Sequence, residues 1–505
     1  MTLDYHALLP ELILGTTVLV VLVIDLFPVE KYWAAVAGLT GMFLAFIPVL
    51  TLGFCESLSF CDDTGVRVLF SGSYVIDPFS LVMKGLFLIA AFVALLIAVG
   101  YLESGRFYEG EYYFLLIASV FGAFVMASSR DLITVFVALE LVTAPTFLLA
   151  GWRKGDARSN EAAMKFFIIG VISSSVLLFG MSLVYGTTGE LTFNAINAAS
   201  ADLGDARPLF ALGLVFTLLG FAFKVSAVPF HFWTPDVYEG SPTPVSAYLS
   251  VVSKTAGFVG LLTFTYIAFA NHRDIWGPLL AILAAASIIL GNVVALKQTN
   301  VIRLLGYSSI AQAGFMLVPL GAAAAEGATG TELEDAFFAT VTYLLIYAFM
   351  NLGAFAVVIA VRNRIGSFDL ADWGGLSRYA PGLATLVAIF FFSLAGIPPL
   401  AGWFAKLVMF RAAVSLGGPW GITLAVIAVL GSVVGLVYYA KVAKSAWFDP
   451  LPDGVVAEDL AAPAWTPGLQ LALGITALAV IVMGIFPGLI SKVGEISTDI
   501  FTALG

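Results

Sequence analysis

Four ionisable side chains stand where an apolar sequence has no ordinary use for them. Lys224 lies in LLGFAFKVSAVPF, Lys254 in YLSVVSKTAGFVGLL, Lys406 in LAGIPPLAGWFAKLVMF and Glu140 in LITVFVALELVTAPTFLL. An amine in an apolar site loses the solvation that favours its charged form, and a nearby carboxylate restores that preference. A lysine and a glutamate whose separation can change therefore make a two-state proton gate. The ammonium persists while the carboxylate is near and gives up its proton when the carboxylate withdraws. In such a scheme Glu140 governs Lys224, Lys224 hands its proton to Lys254 or to a water chain, and Lys406 carries it onward. An ionised group at bilayer depth costs roughly 2.5–3.5 kcal/mol on insertion scales, so four of them have to face protein or water and perform a function.

Other candidates carry a plainer reading beside the functional one. Lys165 follows Glu161 by one helical turn in NEAAMKFF, which fits an ordinary ion pair as well as a tuning role. His231 comes directly after the segment VPF and could titrate near neutral pH, although a hydrogen-bonding group at a helix end explains it as well. Lys84, near the start of its span in DPFSLVMKGLF, is expected to extend its ammonium to the membrane surface. The 42 phenylalanines read as core and lipid contacts.

The elements that must position these groups are membrane helices. Hydrophobic residues make up 60% of the 505, charged residues only 11%, and the mean hydropathy is +1.01, values that exclude a soluble globular chain. Apolar segments of about 20 residues, the length that crosses a hydrocarbon core, recur from Leu8 to the neighbourhood of Lys492, roughly fourteen in number. The first begins behind MTLDYHALLPEL, whose acids replace the basic flank of a signal peptide, so it reads as a retained helix. Two spans are interrupted by proline: KVSAVPFHFWTPDVYEGSPTPVS and SLAGIPPLAGWFAK. Proline removes a backbone donor and opens the helical ladder, which inside a membrane needs protein or water partners. Paired interruptions point to inverted repeats with ion sites at mid-membrane. Repeats are expected at 112–270 and 276–446, with leading helices over 1–111 and a loop and last helix over 447–505.

Loops assigned alternately to the two sides hold twelve Lys and Arg residues on one side and six on the other; the remaining five of the 23 lie within spans. The positive-inside rule then places both termini outside, in the periplasm of a bacterium. Cys55 and Cys61 fall in the second loop on that outer side, where a disulfide and two free thiols are equally open readings. A formal charge of −10 disfavours nucleic acid or anionic lipid head groups as main partners. No CxxC, GxGxxG or Walker loop is present, so iron–sulfur, flavin, nicotinamide and ATP sites lack their usual ligands here.

The stretch FKVSAVPFHFWTPDVYEGSPTPVSAYLSVVSKTAGF, with ALKQTNVIRLLGYSSIAQAGFML and FFSLAGIPPLAGWFAK, resembles the subunit N family of proton-pumping NADH-quinone oxidoreductase, respiratory complex I. WTPDVYEGSPTPV separates it from subunits L and M and from the multisubunit sodium/proton antiporters, which share the broken-helix lysine plan. The resemblance spans nearly the whole chain. It implies an all-α membrane protein of fourteen helices with two inverted five-helix repeats, each containing a broken helix. It further implies one of three antiporter-like subunits of a membrane arm, partnered by subunit M and the small membrane subunits A, J and K, in a bacterial inner membrane. No cofactor is then expected in this chain; NADH, FMN, iron–sulfur clusters and quinone would belong to partner subunits. The family's acid on the fifth span matches Glu140, its lysines on the seventh, eighth and twelfth spans match Lys224, Lys254 and Lys406, and its sixth-span modulator matches Lys165. One departure stands out: Gln312 in YSSIAQAGF replaces a tenth-span histidine, and glutamine can bond water but cannot take a proton. The rival reading is a stand-alone sodium/proton antiporter, which dense intramembrane carboxylates would favour; only Glu140 is expected deep.

Overall fold

Lipid offers backbone amides and carbonyls no water to bond, so a chain this apolar has to satisfy them inside helices. A computed structural model describes residues 4–54, 66–105, 110–325, 327–452 and 466–498. The leading helices are α1 (Tyr5–Leu26), α2 (Tyr32–Gly53) and α3 (Pro78–Gly105), with a small antiparallel ribbon of β1 (Arg67–Leu69) and β2 (Tyr74–Ile76) before α3. In the ribbon Arg67 faces Ile76, Val68 faces Val75 and Leu69 faces Tyr74. Then come α4 (Gly110–Ser128), α5 (Leu132–Ala150), α6 (Ala157–Thr188) and a short α7 (Phe193–Ala199). Helices α8 (Arg207–Lys224) and α9 (Trp233–Gly240) flank the first interruption. α10 (Thr243–Tyr248), a π-helical turn over Leu249–Ser253, α11 (Lys254–Thr263) and a second π-helical stretch over Phe264–Ala268 make one continuous, fully buried crossing.

After these follow α12 (Arg273–Ala295), α13 (Val301–Ala322), α14 (Gly330–Ile365) and a short α15 (Leu376–Tyr379). α16 (Pro381–Ala395) and α17 (Gly402–Leu416) flank the second interruption, and α18 (Gly418–Phe448), α19 (Pro467–Ile485) and α20 (Pro487–Ile496) complete the described chain. Thirteen described segments are long and apolar enough to cross a membrane, and α16 with α17 adds a crossing built from two 15-residue pieces. The architecture is the expected all-α bundle of about fourteen transmembrane helices.

The same order of elements occurs twice. Crossings α4, α5, α6, α8/α9 and α10/α11 are followed by α12, α13, α14, α16/α17 and α18. Five crossings is an odd number, so the second set starts from the opposite side and is inverted. Local chemistry repeats too. Asp131 caps α5 by accepting the amides of Ile133 and Thr134, and its backbone bridges Thr192 beyond α6. Asn300 caps α13 by accepting those of Ile302 and Arg303, and its backbone bridges Asp369 beyond α14. Both α6 and α14 end on a left-handed glycine, Gly189 at φ 73 and Gly366 at φ 79.

Burial differs between the repeats. α14 is enclosed along almost its whole length, whereas α6 and α18 lie on the rim. Ile168, Val171 and Phe179 of α6, and Val426, Val429 and Val433 of α18, face outward, as suits lipid-facing or partner-facing helices.

Lys84 corrects the sequence reading. Its ammonium does not reach the surface: the residue is fully buried and forms an ion pair with Glu11 of α1, whose carboxylate also accepts a bond from the Tyr74 hydroxyl at 2.7 Å. Distance from the end of a span says nothing about which way a side chain points around the helix, and α1 presents a counter-charge on the inward side. Glu11 is therefore a further carboxylate enclosed by the helices, where the sequence pointed to Glu140 alone. Cys55 and Cys61 lie outside the described residues. Lys84→Met is expected to lower the thermal midpoint of the purified protein, because the remaining carboxylate is buried without a counter-charge, a loss of about 3–5 kcal/mol. Adding Glu11→Gln should recover most of it; equal losses in the single and double variants would show that charge pairing is not what the site contributes.

Candidate proton-handling site

The first interruption leaves Lys224 as the last residue of α8, buried between α5 and α11. Its ammonium donates to the Thr143 hydroxyl of α5, and that hydroxyl itself donates to the Leu139 carbonyl at 2.6 Å, so its lone pairs are free for the amine. Glu140 stands one turn before Thr143 on α5; its Oε1 is buried without a hydrogen-bond partner, and no described ion pair joins it to Lys224. Beside Lys224 the wall of α11 is Gly257, where a β-carbon would come within 3.0 Å of Lys224 Cγ. The opened ladder finds partners elsewhere: the Val228 amide donates to Ser287 Oγ of α12 at 2.9 Å, and the Trp233 indole donates to the Phe223 carbonyl at 3.3 Å.

Lys254 begins α11, directly after the π-helical turn, and is buried. Such turns insert an extra residue into a helix and re-aim the side chains beside it. Its ammonium donates to the carbonyl of Ser309 on α13 at 2.7 Å and to the Ser309 hydroxyl. The same hydroxyl receives Tyr347 at 3.1 Å and lies 3.4 Å from the Tyr238 hydroxyl.

One turn further along α13, Gln312 is buried within a second polar cluster. Its Oε1 accepts from Tyr343 at 2.6 Å, and its Nε2 donates to the Tyr439 hydroxyl at 3.1 Å and to the Leu394 carbonyl at 3.2 Å. Ser308 also bonds Tyr439. Leu394 and Ala395 end α16, where the second interruption frees their carbonyls, and Lys406 of α17 donates to the Ala395 carbonyl at 2.7 Å. Lys406 Nζ also lies 5.0 Å from the centre of the Phe315 ring. Gly396 holds φ 91 at the interruption, and a β-carbon there would fall 2.8 Å from Lys406 Cδ, so the turn and the space for the lysine need the same glycine.

The two repeats align on their caps. Glu140 follows Asp131 by the same nine residues that separate Ser309 from Asn300, and Thr143 and Gln312 share the next register, twelve residues on. The first repeat thus carries an acid where the second carries the hydroxyl that holds Lys254.

Two sequence candidates lie apart from these contacts. Lys165 forms the foreseen pair with Glu161 at 2.7 Å but also bonds Asp236 of α9 at 2.7 Å; it touches neither Lys224 nor Glu140. His231 sits half-buried inside the first interruption, its Nδ1 without a hydrogen-bond partner. Gln312, by contrast, is at the centre of its cluster. Sequence reasoning did not single out Thr143, Ser308, Ser309, Tyr343, Tyr347 or Tyr439. The polar run YSSIAQ inside an apolar span, and Tyr343 with Tyr347 on one helical face, were the available signals. Gln312→Met would leave the Tyr343 hydroxyl without its acceptor and the Leu394 carbonyl without a donor. The expected loss is about 1–3 kcal/mol, read as a lower thermal midpoint, and an unchanged midpoint would mean that the cluster does not hold the second interruption.

Residues 129–432 match the family described as NADH:quinone oxidoreductase/Mrp antiporter, transmembrane. The chain is 42% identical over 449 residues to NADH-quinone oxidoreductase subunit N 2 of Streptomyces griseus, covering 87% of this chain and 82% of that one. To NADH-quinone oxidoreductase subunit N of Trichlorobacter lovleyi it is 36% identical over 496 residues, covering 98% and 97%. A chain of respiratory complex I from Thermus thermophilus with bound aureothin is similar in structure, with a TM-score of 0.76 and 30% identity over 96% of this chain and 98% of that one. A chain of the Mrp complex from Dietzia sp. shares the fold at a TM-score of 0.82 with 20% identity, over 98% of this chain and 97% of that one. Similarity of this extent, running through both interrupted helices, makes the chain a member of the NADH-quinone oxidoreductase subunit N family of antiporter-like membrane proteins.

Proposed function

We propose that this chain is a proton-translocating, antiporter-like subunit in the membrane arm of an NADH-quinone oxidoreductase, moving protons while partner subunits pass electrons from NADH to quinone. NADH, FMN, the iron–sulfur clusters and quinone are assigned to those partners, and this chain contributes no redox centre. Its membrane neighbours are subunit M and the small subunits A, J and K. It resides in a bacterial inner membrane with both termini in the periplasm. Residues 112–270 and 276–446 are its two antiporter-like units.

The observation that carries this reading is the row of three buried amines, Lys224, Lys254 and Lys406, each bonded to a hydroxyl or carbonyl oxygen and none to a described carboxylate. A structural ion pair would keep its counter-charge beside it; an amine held by neutral oxygens can give up its proton without leaving a buried anion behind. Glu140 is the coupling acid, Lys224 the switch, Lys254 the relay and Lys406 the exit or the connection to a neighbouring subunit. When Glu140 moves toward Lys224 the ammonium is favoured; when it withdraws, the proton passes to the neutral amine of Lys254, and Lys224 is left neutral on Thr143. Ser309, Gln312 and Tyr439 bridge the distance to Lys406 together with water, since glutamine takes no proton itself. Lys165 and His231 act secondarily, at the surface end and within the first interruption. Each proton moved against 100 mV requires about 2.3 kcal/mol, a scale that a change in buried charge pairing supplies.

Lys224→Ala in the assembled complex tests this reading. NADH-driven acidification of inverted membrane vesicles should fall roughly tenfold or more while the complex assembles normally. Unchanged pumping would reduce the chain to a packing subunit. Sodium-for-proton exchange by the purified chain alone in liposomes would instead support the stand-alone antiporter.

A further inference from the structure

The half-helix α9 has eight residues and is held through its first residue, Trp233, and its fourth, Asp236, neither of which the relay uses. Midway along it Asp236 is shared: Oδ2 accepts from Lys165 of α6 at 2.7 Å and Oδ1 accepts from Arg303 of α13 at 2.8 Å. Helix α6 belongs to the first repeat and α13 to the second, so one carboxylate joins the two. Arg303 also bonds Glu239 at 2.9 Å, and Lys165 also bonds Glu161 at 2.7 Å. One turn before Asp236, on the same face of α9, Trp233 is buried and stacks on Phe166 with ring centres 4.6 Å apart and planes inclined by 18°. Phe166 neighbours Lys165 on α6. The Trp233 indole N–H reaches back across the interruption to the Phe223 carbonyl, which also accepts the Ser226 amide at 3.0 Å. Phe223 is the residue immediately before Lys224.

We propose that Asp236 and Trp233 are positioning residues for Lys224: α9 acts as a lever whose partly exposed middle is set by the shared carboxylate and whose buried first residue fixes the carbonyl beside the switch lysine. This inference rests on the proton-translocating reading above and adds the means by which an event at the bundle surface reaches the first interruption. Without Asp236, Lys165 and Arg303 each keep a second carboxylate, so no charge is stranded. All these groups are about one-third exposed or more apart from Glu239 at 29%, so folding loses little. What is lost is the tie between α9 and both repeats. Trp233→Phe keeps an aromatic ring on Phe166 while it removes the N–H together with part of the ring volume.

The test uses membrane vesicles containing the assembled complex with D236N, D236E, W233F, the double variant D236N/W233F and K224A. Expected are wild-type assembly, pumping reduced roughly fivefold in D236N and in W233F, recovery in D236E, and a double variant no worse than the weaker single. Such non-additivity is the signature of one lever, which two unrelated packing defects would not give. Wild-type pumping in both D236N and W233F, or losses that multiply in the double variant, would overturn the proposal. Should D236N fail to assemble, W233F alone decides, with wild-type pumping counting against the lever. Normal pumping in K224A would overturn the proton-translocating reading and the lever with it, whereas loss in K224A with normal D236N and W233F removes the lever alone.

Discussion

An amine enclosed by lipid and protein must find oxygen atoms to bond, and this bundle supplies them from a carbonyl freed at one helix break and from hydroxyl-bearing helices packed beside the other two lysines. A regular helix spends its carbonyls on its own amides, so a buried lysine needs a freed carbonyl, a side-chain hydroxyl or a share of a carbonyl already in use. At the second interruption α16 stops, and the Ala395 carbonyl it no longer uses becomes the acceptor for Lys406. At the first, Lys224 is itself the terminal residue, and the freed backbone groups are taken up by Ser287 and Trp233. Lys254 lies in a crossing that stays continuous but is locally widened, and it bonds the Ser309 carbonyl and hydroxyl of α13. The three lysines thus meet one requirement in three ways: a hydroxyl of α5, a carbonyl with a hydroxyl of α13, and a carbonyl freed at the end of α16.

The repeat shows how one architecture holds two chemistries. With the caps Asp131 and Asn300 aligned, the acid of the first unit coincides with a serine in the second, and Thr143 coincides with Gln312. The first unit therefore places an amine near a carboxylate whose Oε1 has no hydrogen-bond partner. The second joins two amines through a neutral, hydroxyl-rich segment of a single helix. An unpaired buried carboxylate responds to charge brought near it, whereas a satisfied cluster of tyrosines and glutamine mainly fixes geometry.

Much of this was legible in the sequence. Apolar run length was enough for the crossings, and proline with glycine marked both interruptions. The three lysines and Glu140 stood out by type alone. Their partners did not, because Thr143, Ser309 and Ala395 sit on other helices and no local pattern ties a lysine to a hydroxyl 81 residues away. The misplaced case, Lys84, failed for a related reason: position along a span was known, but angle around it depends on which helix packs there. Lys165 illustrates a partial reading, since its neighbour Glu161 is a local signal and the second partner, Asp236, lies beyond a helix break.

The unequal burial of α6 and α14 has a mechanical meaning. These helices occupy the same place in the two repeats, yet one borders lipid or a neighbouring subunit and the other is walled in on every side. A displacement in the first unit can push its volume outward at little expense, because fluid or a movable partner gives way. Around α14 any shift must be absorbed by close-packed neighbours that hardly compress. Twin topology therefore conceals a compliant third crossing in one unit and a stiff third crossing in the other, so that motion starts where the surroundings yield and arrives as stress where they do not.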